Sequence, residues 1–159
     1  MGDALAICLL ELKGFTRDDF AKLHPGGSLG KKMYLRVDDI YKMNNKPQVS
    51  PDDSIDKIII EITGNLLGAT AVIDNENNLL GIITDGDIRR MLQRNLSEIA
   101  RLKARDIMNK TPKIIEADDL AINAMRLIEK HNISQIVVLE NGKYSGMIHL
   151  HDLIREGLV

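Results

Sequence analysis

The sequence contains no tryptophan, two phenylalanines and three tyrosines, 3 % aromatic residues in all, so its core has to be built from aliphatic side chains. A single cysteine, Cys8, excludes an internal disulfide and fits a reducing compartment. Set among Leu5, Leu9 and Leu12, that thiol reads as a small buried hydrophobe rather than a nucleophile. No apolar run approaches the length of about 18 residues that a membrane-spanning helix needs, and no signal sequence opens the chain. These absences predict a cytoplasmic protein. Charge of one sign is scarce too: 21 Lys and Arg stand against 23 Asp and Glu. The basic residues are scattered, which leaves no electrostatic footprint for nucleic acid or an anionic membrane.

What remains is globular, with 44 % hydrophobic residues in 159. That suffices for one domain of ordinary size or two small ones sharing a core. Leu5, Cys8, Leu9 and Leu12 recur at helical spacing and predict a helix over Met1 to Lys13, ended by Gly14. Thr16 and Asp19 are spaced as a capping pair and start a second short helix. In His24-Pro25-Gly26-Gly27-Ser28-Leu29-Gly30, the glycines and the proline argue against regular structure. This stretch is either a linker turn or a rigid loop presenting His24, a side chain poised to move protons near neutral pH.

From Leu35 onward the chain repeats itself. Asp39-Ile40-Tyr41 matches Asp106-Ile107-Met108, and Pro51 to Ile55 matches Ala117 to Ala121. Ala71-Val72-Ile73-Asp74 matches Ile136-Val137-Val138-Leu139. Each unit reads β-α-β-β-α. A brief strand (Gln48-Val49; Lys113 to Ile115) precedes a helix whose apolar side is Ile55, Ile58, Ile59 and Ile62 in the first unit. Leu120, Ala124, Leu127 and Ile128 play that part in the second. Two strands follow, joined by Asn75 to Asn78 or by Asn141-Gly142, the latter a strong hairpin signal. A unit of about 60 residues buries too little surface alone, so the two are expected to pack face to face through their sheets. Arg94 to Lys103 links them.

Each unit closes on a strand that runs straight into a helix: Gly81-Ile82-Ile83-Thr84-Asp85-Gly86-Asp87 and Gly146-Met147-Ile148-His149-Leu150-His151-Asp152. Free backbone N–H groups at such a corner favour anions, and an acid three residues on can reach the hydroxyls of a ligand. Thr84 and Asp87 have a second explanation, because Thr-x-x-Asp is also a helix-capping pair. In the second unit His149, a poor N-cap, stands at the cap position while Asp152 keeps its place, which favours a hydroxyl-binding aspartate. His149 and His151 suit opposite faces of a strand better than shared metal ligation, so no metal is expected. Arg89, Arg90 and Arg155 could meet phosphate or carboxylate, or stay solvated, with Arg90 paired to Asp87 along the helix.

The duplicated unit ending in Gly-x-x-Thr-x-x-Asp resembles the CBS regulatory domain, over roughly Leu35 to Val159, and two such units resemble a Bateman module. The resemblance implies an α/β fold of two tandem CBS units packed by pseudo-two-fold symmetry, spanning 35–99 and 100–159. It implies a small-molecule nucleotide ligand, with the corner Asp on ribose and the Thr beside ribose or phosphate. By the same analogy Asp106 and Thr111 become base or sugar contacts. Upstream, Gly2 to Ala6, Leu12 to Phe15 and His24 to Gly30 resemble the junction between a sugar isomerase (SIS) domain and a CBS pair in the D-arabinose-5-phosphate isomerases. Those enzymes convert ribulose 5-phosphate to arabinose 5-phosphate for the lipopolysaccharide sugar Kdo. Residues 1–34 are then the end of an SIS domain, and the resemblance makes His24 catalytic in the full-length enzyme only. The chain alone is expected to be inactive, without a cofactor. Its effector is expected to be an adenine nucleotide or, by feedback logic, CMP-Kdo. Its assembly is expected to be a homodimer through CBS pairs, within a tetrameric parent. The alternative is a scaffold that dimerises and binds nothing.

Overall fold

The computed structural model describes residues 19, 28–93 and 99–158. Apart from Asp19, the helices expected over Met1 to Lys13 and from Thr16, and the residue His24, lie outside these. Helices α1 (Ser28–Tyr34) and α2 (Asp38–Tyr41) lead into β1 (Gln48–Val49), α3 (Ile55–Asn65), β2 (Ala69–Ile73), β3 (Leu79–Thr84) and α4 (Asp85–Met91). The plan recurs as α5 (Ala104–Ile107), β4 (Ile114–Glu116), α6 (Ala121–His131), β5 (Gln135–Glu140), β6 (Lys143–His149) and α7 (Leu150–Arg155). Regular structure thus begins earlier than the glycine content suggested, since Ser28, Leu29 and Gly30 are helical. One glycine costs a helix about 1 kcal/mol relative to alanine, which α1 offsets by packing on α6.

Each unit carries a three-stranded sheet in which the middle strand pairs parallel to the first and antiparallel to the third. Ala71 lies opposite Gln48, and Val137 opposite Ile114. Ala71 is therefore the counterpart of Val137, not of Ile136 as the sequence match implied. A slip of one residue moves a side chain to the other face of a sheet. Ala71 and Val137 lie in the core between the sheets, whereas Ile136 lies on the helix side. The mismatch arises because the first hairpin is one residue longer than the second: Ile73 pairs with Leu79 but Leu139 with Tyr144, while the irregular step after Val72 and after Val138 is common to both. Asn141 (φ 53°) and Gly142 (φ 75°) form the left-handed pair that a two-residue hairpin requires.

The sheets face each other through Leu67, Ala69, Ala71, Ile73 and Ile82 of the first unit and Val137, Leu139, Tyr144 and Met147 of the second. Tyr144 closes this layer by donating its hydroxyl to the Pro47 carbonyl at 2.7 Å, and burial pushes its phenol up. On the outer face of the first sheet, α3 buries Ile55, Ile58 and Ile62. Ile59, expected beside them, is 38 % exposed. On the second, α6 buries Ala121, Ala124, Met125 and Ile128. Leu120 and Leu127 are only partly covered.

The segments that lead into the two units are exchanged. Val37, Ile40 and Tyr41 join the second unit's core, beside Ile115, Ala121, Ile136 and Ile148. Ala104, Ile107 and Met108 join the first, beside Val49, Ile58, Val72 and Ile83. Backbone bonds fix the crossing on both sides. Val37 and Asp38 donate to the carbonyls of Asp119 and Ala117, and Ala104 and Arg105 to those of Asp53 and Pro51. Gly146 is where the first leader presses closest, because a Cβ there would fall 2.6 Å from the Tyr41 ring.

Candidate functional site

In the first corner, Thr84 is extended (φ −112°, ψ 166°) and caps α4. Asp87 Oδ2 accepts from the Thr84 amide at 2.8 Å and from the Thr84 hydroxyl at 2.7 Å. Asp87 N donates back to Thr84 Oγ1 at 3.3 Å, which completes a capping box. Arg90 donates to Asp87 Oδ1 at 2.6 Å and is otherwise exposed. Burial pushes the Asp87 carboxyl up, but the Thr84 and Arg90 donors outweigh it and hold it below its ordinary value. Of the two readings open for Arg90, pairing with Asp87 is the one adopted.

The second corner repeats this scheme with one substitution. His149, expected to cap poorly, does cap α7, its Nδ1 accepting from the His151 amide at 3.1 Å. A neutral imidazole keeps one unprotonated nitrogen, and here that nitrogen is turned to the backbone. Asp152 completes the box by accepting from the His149 amide at 2.9 Å, so capping accounts for this aspartate as it does for Asp87. Asp152 is only 7 % exposed. Its Oδ2 also accepts from Asn44 Nδ2 at 2.8 Å, and its Oδ1 from Arg155 at 3.2 Å. His149 and His151 are not on opposite faces of one strand: His151 has entered the helix and the ring centroids are 4.8 Å apart. Burial first, then His151, pushes the His149 imidazole down, with Asp152 opposing.

Both corners leave one carboxylate oxygen accepting a single bond from an exposed arginine. The oxygen's remaining lone pair is free, and the arginine can be displaced. Their surroundings differ. Asp152 and His149 open on a cavity of about 580 Å³ formed with His151, Gln135, Asp85, Gly68, Leu67, Leu66, Thr63 and Ile62, so both units contribute. Asp87, Arg90 and Asp106 share a recess of about 180 Å³ with Met91 and Ile107. Asp106 caps α5 by accepting from the Lys103 amide. Thr84 lines neither space, nor do Arg89, Arg155 and Thr111. Thr111 is exposed and donates to Asn109. Asp85 and Gln135 are the residues that the sequence did not single out. Neither side chain has a hydrogen-bond partner among the described residues, and both flank Gly68, where a Cβ would fall 2.9 Å from Gln135 Nε2. Gly68 is left-handed (φ 65°), the one signal that backbone and side chains converge there. Among the described residues no group of three or more His, Cys, Asp or Glu side chains is placed to hold a metal ion. No helix among them is long and apolar enough to cross a membrane.

A family model described as CBS domain matches residues 37–94 and 104–158. The arabinose 5-phosphate isomerase KdsD of Yersinia pestis is 39 % identical over 160 residues, spanning 100 % of this chain and 48 % of that protein. Its namesake from Francisella tularensis is 43 % identical over 157 residues, spanning 98 % and 47 %. The chain thus covers about half the length of the curated relatives it matches. Among solved structures, CBSX2 in complex with AMP is 21 % identical with a TM-score of 0.66, over 79 % of this chain and 97 % of that one. PAE2072 from Pyrobaculum aerophilum, complexed with AMP, is 20 % identical with a TM-score of 0.66, over 75 % and 90 %. At that identity the likeness is one of fold.

Proposed function

The chain belongs to the CBS-domain family as a tandem pair, and from that premise we propose that it is the nucleotide-sensing regulatory part of an arabinose-5-phosphate isomerase. The observation that carries the reading is the shared cavity beside Asp152. Small-molecule sites occupy about 300–1,000 Å³. The space at the second corner, about 580 Å³, falls in that range, and the recess at the first, about 180 Å³, does not. One nucleotide per chain is therefore expected, at the second corner. Its ribose hydroxyls donate to Asp152 Oδ1 and displace Arg155, which is freed to meet the phosphate. Ile62, Leu66 and Leu67 cover one face of the base, and the amide of Gln135 reads its edge. His149 offers its Nε2–H.

In the parent enzyme, catalysis belongs to the half absent from the matched region. His24, which this chain does contain, completes that catalytic site in the parent, and the CBS pairs join the subunits as dimers within a tetramer. The test is a thermal shift of this chain with AMP, ATP, S-adenosylmethionine and CMP-Kdo. At about 100 times Kd a ligand adds about 2.7 kcal/mol, which raises Tm by roughly 5–10 °C in a domain of this size. No shift with any of the four refutes sensing.

A second reading has its own support. Both aspartates are already engaged in caps, and Ile60 of α3 and Ile154 of α7 are 70 % and 46 % exposed, as a scaffold that only dimerises would require. Asp152→Ala separates the two readings by light scattering and titration. A sensor loses its ligand and stays dimeric; a scaffold has no ligand to lose.

A further inference from the structure

The two corner aspartates obtain their second Oδ2 donor from different places. Asp87 receives it from its own cap residue, the Thr84 hydroxyl. In the second corner that residue is His149, whose ring accepts from His151 and gives Asp152 nothing. The donor comes instead from Asn44, 108 positions away, at 2.8 Å. Asn44 is anchored in turn, with its Nδ2 also donating to the Met147 carbonyl at 3.1 Å. It follows the exchanged first leader, whose Tyr41 hydroxyl meets Ser145 Oγ at 2.9 Å. In the second leader the residue at the matching strand position is Asn109, whose backbone pairs with Ile82 as Asn44 bonds Met147. Its side chain accepts from Thr111 and, among the described residues, makes no bond to Asp87.

We propose that Asn44 is a positioning residue for Asp152 and that it makes the second corner, unlike the first, report its occupancy to the leader. The proposal rests on the nucleotide reading and names the route by which that site is read. A carboxylate so deeply buried needs its donors, and among the described residues Asp152 Oδ2 has two, one of them from Asn44 just after the leader. A ligand that draws Asp152 toward its hydroxyls pulls on Asn44 and through it on α2. The same ligand at Asp87 would pull on Thr84 and Arg90, both within its own corner. With histidine where the first corner has threonine, the second corner's cap thus draws on a distant part of the chain.

The test uses the 159-residue chain with AMP as the probe, and amide exchange at Val37 and Asp38, which bond the second unit's backbone, as the leader's readout. In the wild type, AMP changes exchange at these two amides. Asn44→Ala weakens AMP binding about tenfold, the loss expected for a hydrogen bond to a charged group, and speeds exchange at both. Adding His149→Thr restores a hydroxyl beside Asp152. Because His149 also lines the cavity, the comparison is with His149→Thr alone: in that background Asn44→Ala costs AMP affinity less than about twofold, where each tenfold is worth about 1.4 kcal/mol, while exchange stays fast and no longer responds to AMP. Asp87→Asn leaves Val37 and Asp38 unchanged. Wild-type affinity and exchange in Asn44→Ala, or a loss of about tenfold from Asn44→Ala in the His149→Thr background as well, overturns the assignment. A wild-type chain that binds none of AMP, ATP, S-adenosylmethionine and CMP-Kdo refutes the nucleotide reading instead, and a ligand-free comparison then decides on Asn44. Asn44→Ala and Asp152→Asn speed leader exchange non-additively if their bond is the link. Additive effects, or none, overturn it.

Discussion

Thr70 allows a quantitative test of the register. It is 0 % exposed, and its hydroxyl has no partner among the described residues. Two residues from Val72 on the same strand, it points to the helix-side core that Val72 shares with Ile58, Ile62 and Ile83. Its counterpart one step before Val137 is Ile136, likewise 0 % exposed. A buried donor and acceptor left unpaired costs about 1–3 kcal/mol, and Val replaces Thr at nearly the same volume. Thr70→Val should therefore raise stability by about 1–2 kcal/mol, or roughly 2–8 °C in Tm. Urea denaturation checks it: the midpoint rises by about 0.5–1 M with an unchanged m value, taking m near 2 kcal/mol/M. Thr70→Ser serves as control, since it keeps the hydroxyl and removes a methyl, and should lose about 1 kcal/mol. A destabilised Thr70→Val would mean that the hydroxyl has a partner, and the symmetry argument would fail with it.

Tyr144→Phe removes one of two donors to the Pro47 carbonyl, which keeps the Ala71 amide at 3.2 Å, and should cost about 0.5–1.5 kcal/mol, read as a lower urea midpoint with no change in m. Leu66 ends α3 in a left-handed conformation (φ 57°) where α6 uses Asn132 (φ 49°). Leu66→Asn should gain roughly 0.5–1 kcal/mol in denaturation, yet weaken AMP binding in calorimetry, because Leu66 lines the cavity. His149 has its imidazole pushed down by burial, so the unfolded chain takes up a proton that the folded chain refuses. Its share of stability is complete above the ordinary pKa of about 6.5 and is lost as pH falls through the lower folded value; urea midpoints between pH 8 and pH 5 should show this fall, and His149→Thr should flatten it. Asp87, also held low, loses its share only below the ordinary carboxylate range, so Asp87→Asn should matter at pH 7 and little near pH 2.

The repeat was legible because its signals are local. Asn141-Gly142 announces a hairpin, the spacing of Ile55, Ile58 and Ile62 announces a helix face, and Thr84 with Asp87 announces a cap. Register was not, because Ala71-Val72-Ile73 and Ile136-Val137-Val138 are apolar on both faces, and a slide of one residue costs nothing in a string of letters. The histidine cap was missed because propensity describes average residues, whereas a neutral imidazole with Nδ1 facing a free amide accepts well. Asp85 and Gln135 escaped notice because their partnership exists only once two corners from different units meet. Nothing in Asp39-Ile40-Tyr41 says which sheet it will cover, since both sheets offer the same aliphatic surface.

The crossing of the leaders also has a consequence in time. Val37 leaves the ribosome 82 residues ahead of Asp119, whose carbonyl it needs, and at about 5–20 residues per second that wait is about 4–16 s. During it the first sheet also lacks Ala104 and Ile107, so neither half is a finished object before the other is made. Half of this molecule on its own should either remain molten or recruit a twin, each lending the other its opening segment. Such a mutual loan between separate chains is what a gene duplication would have made permanent.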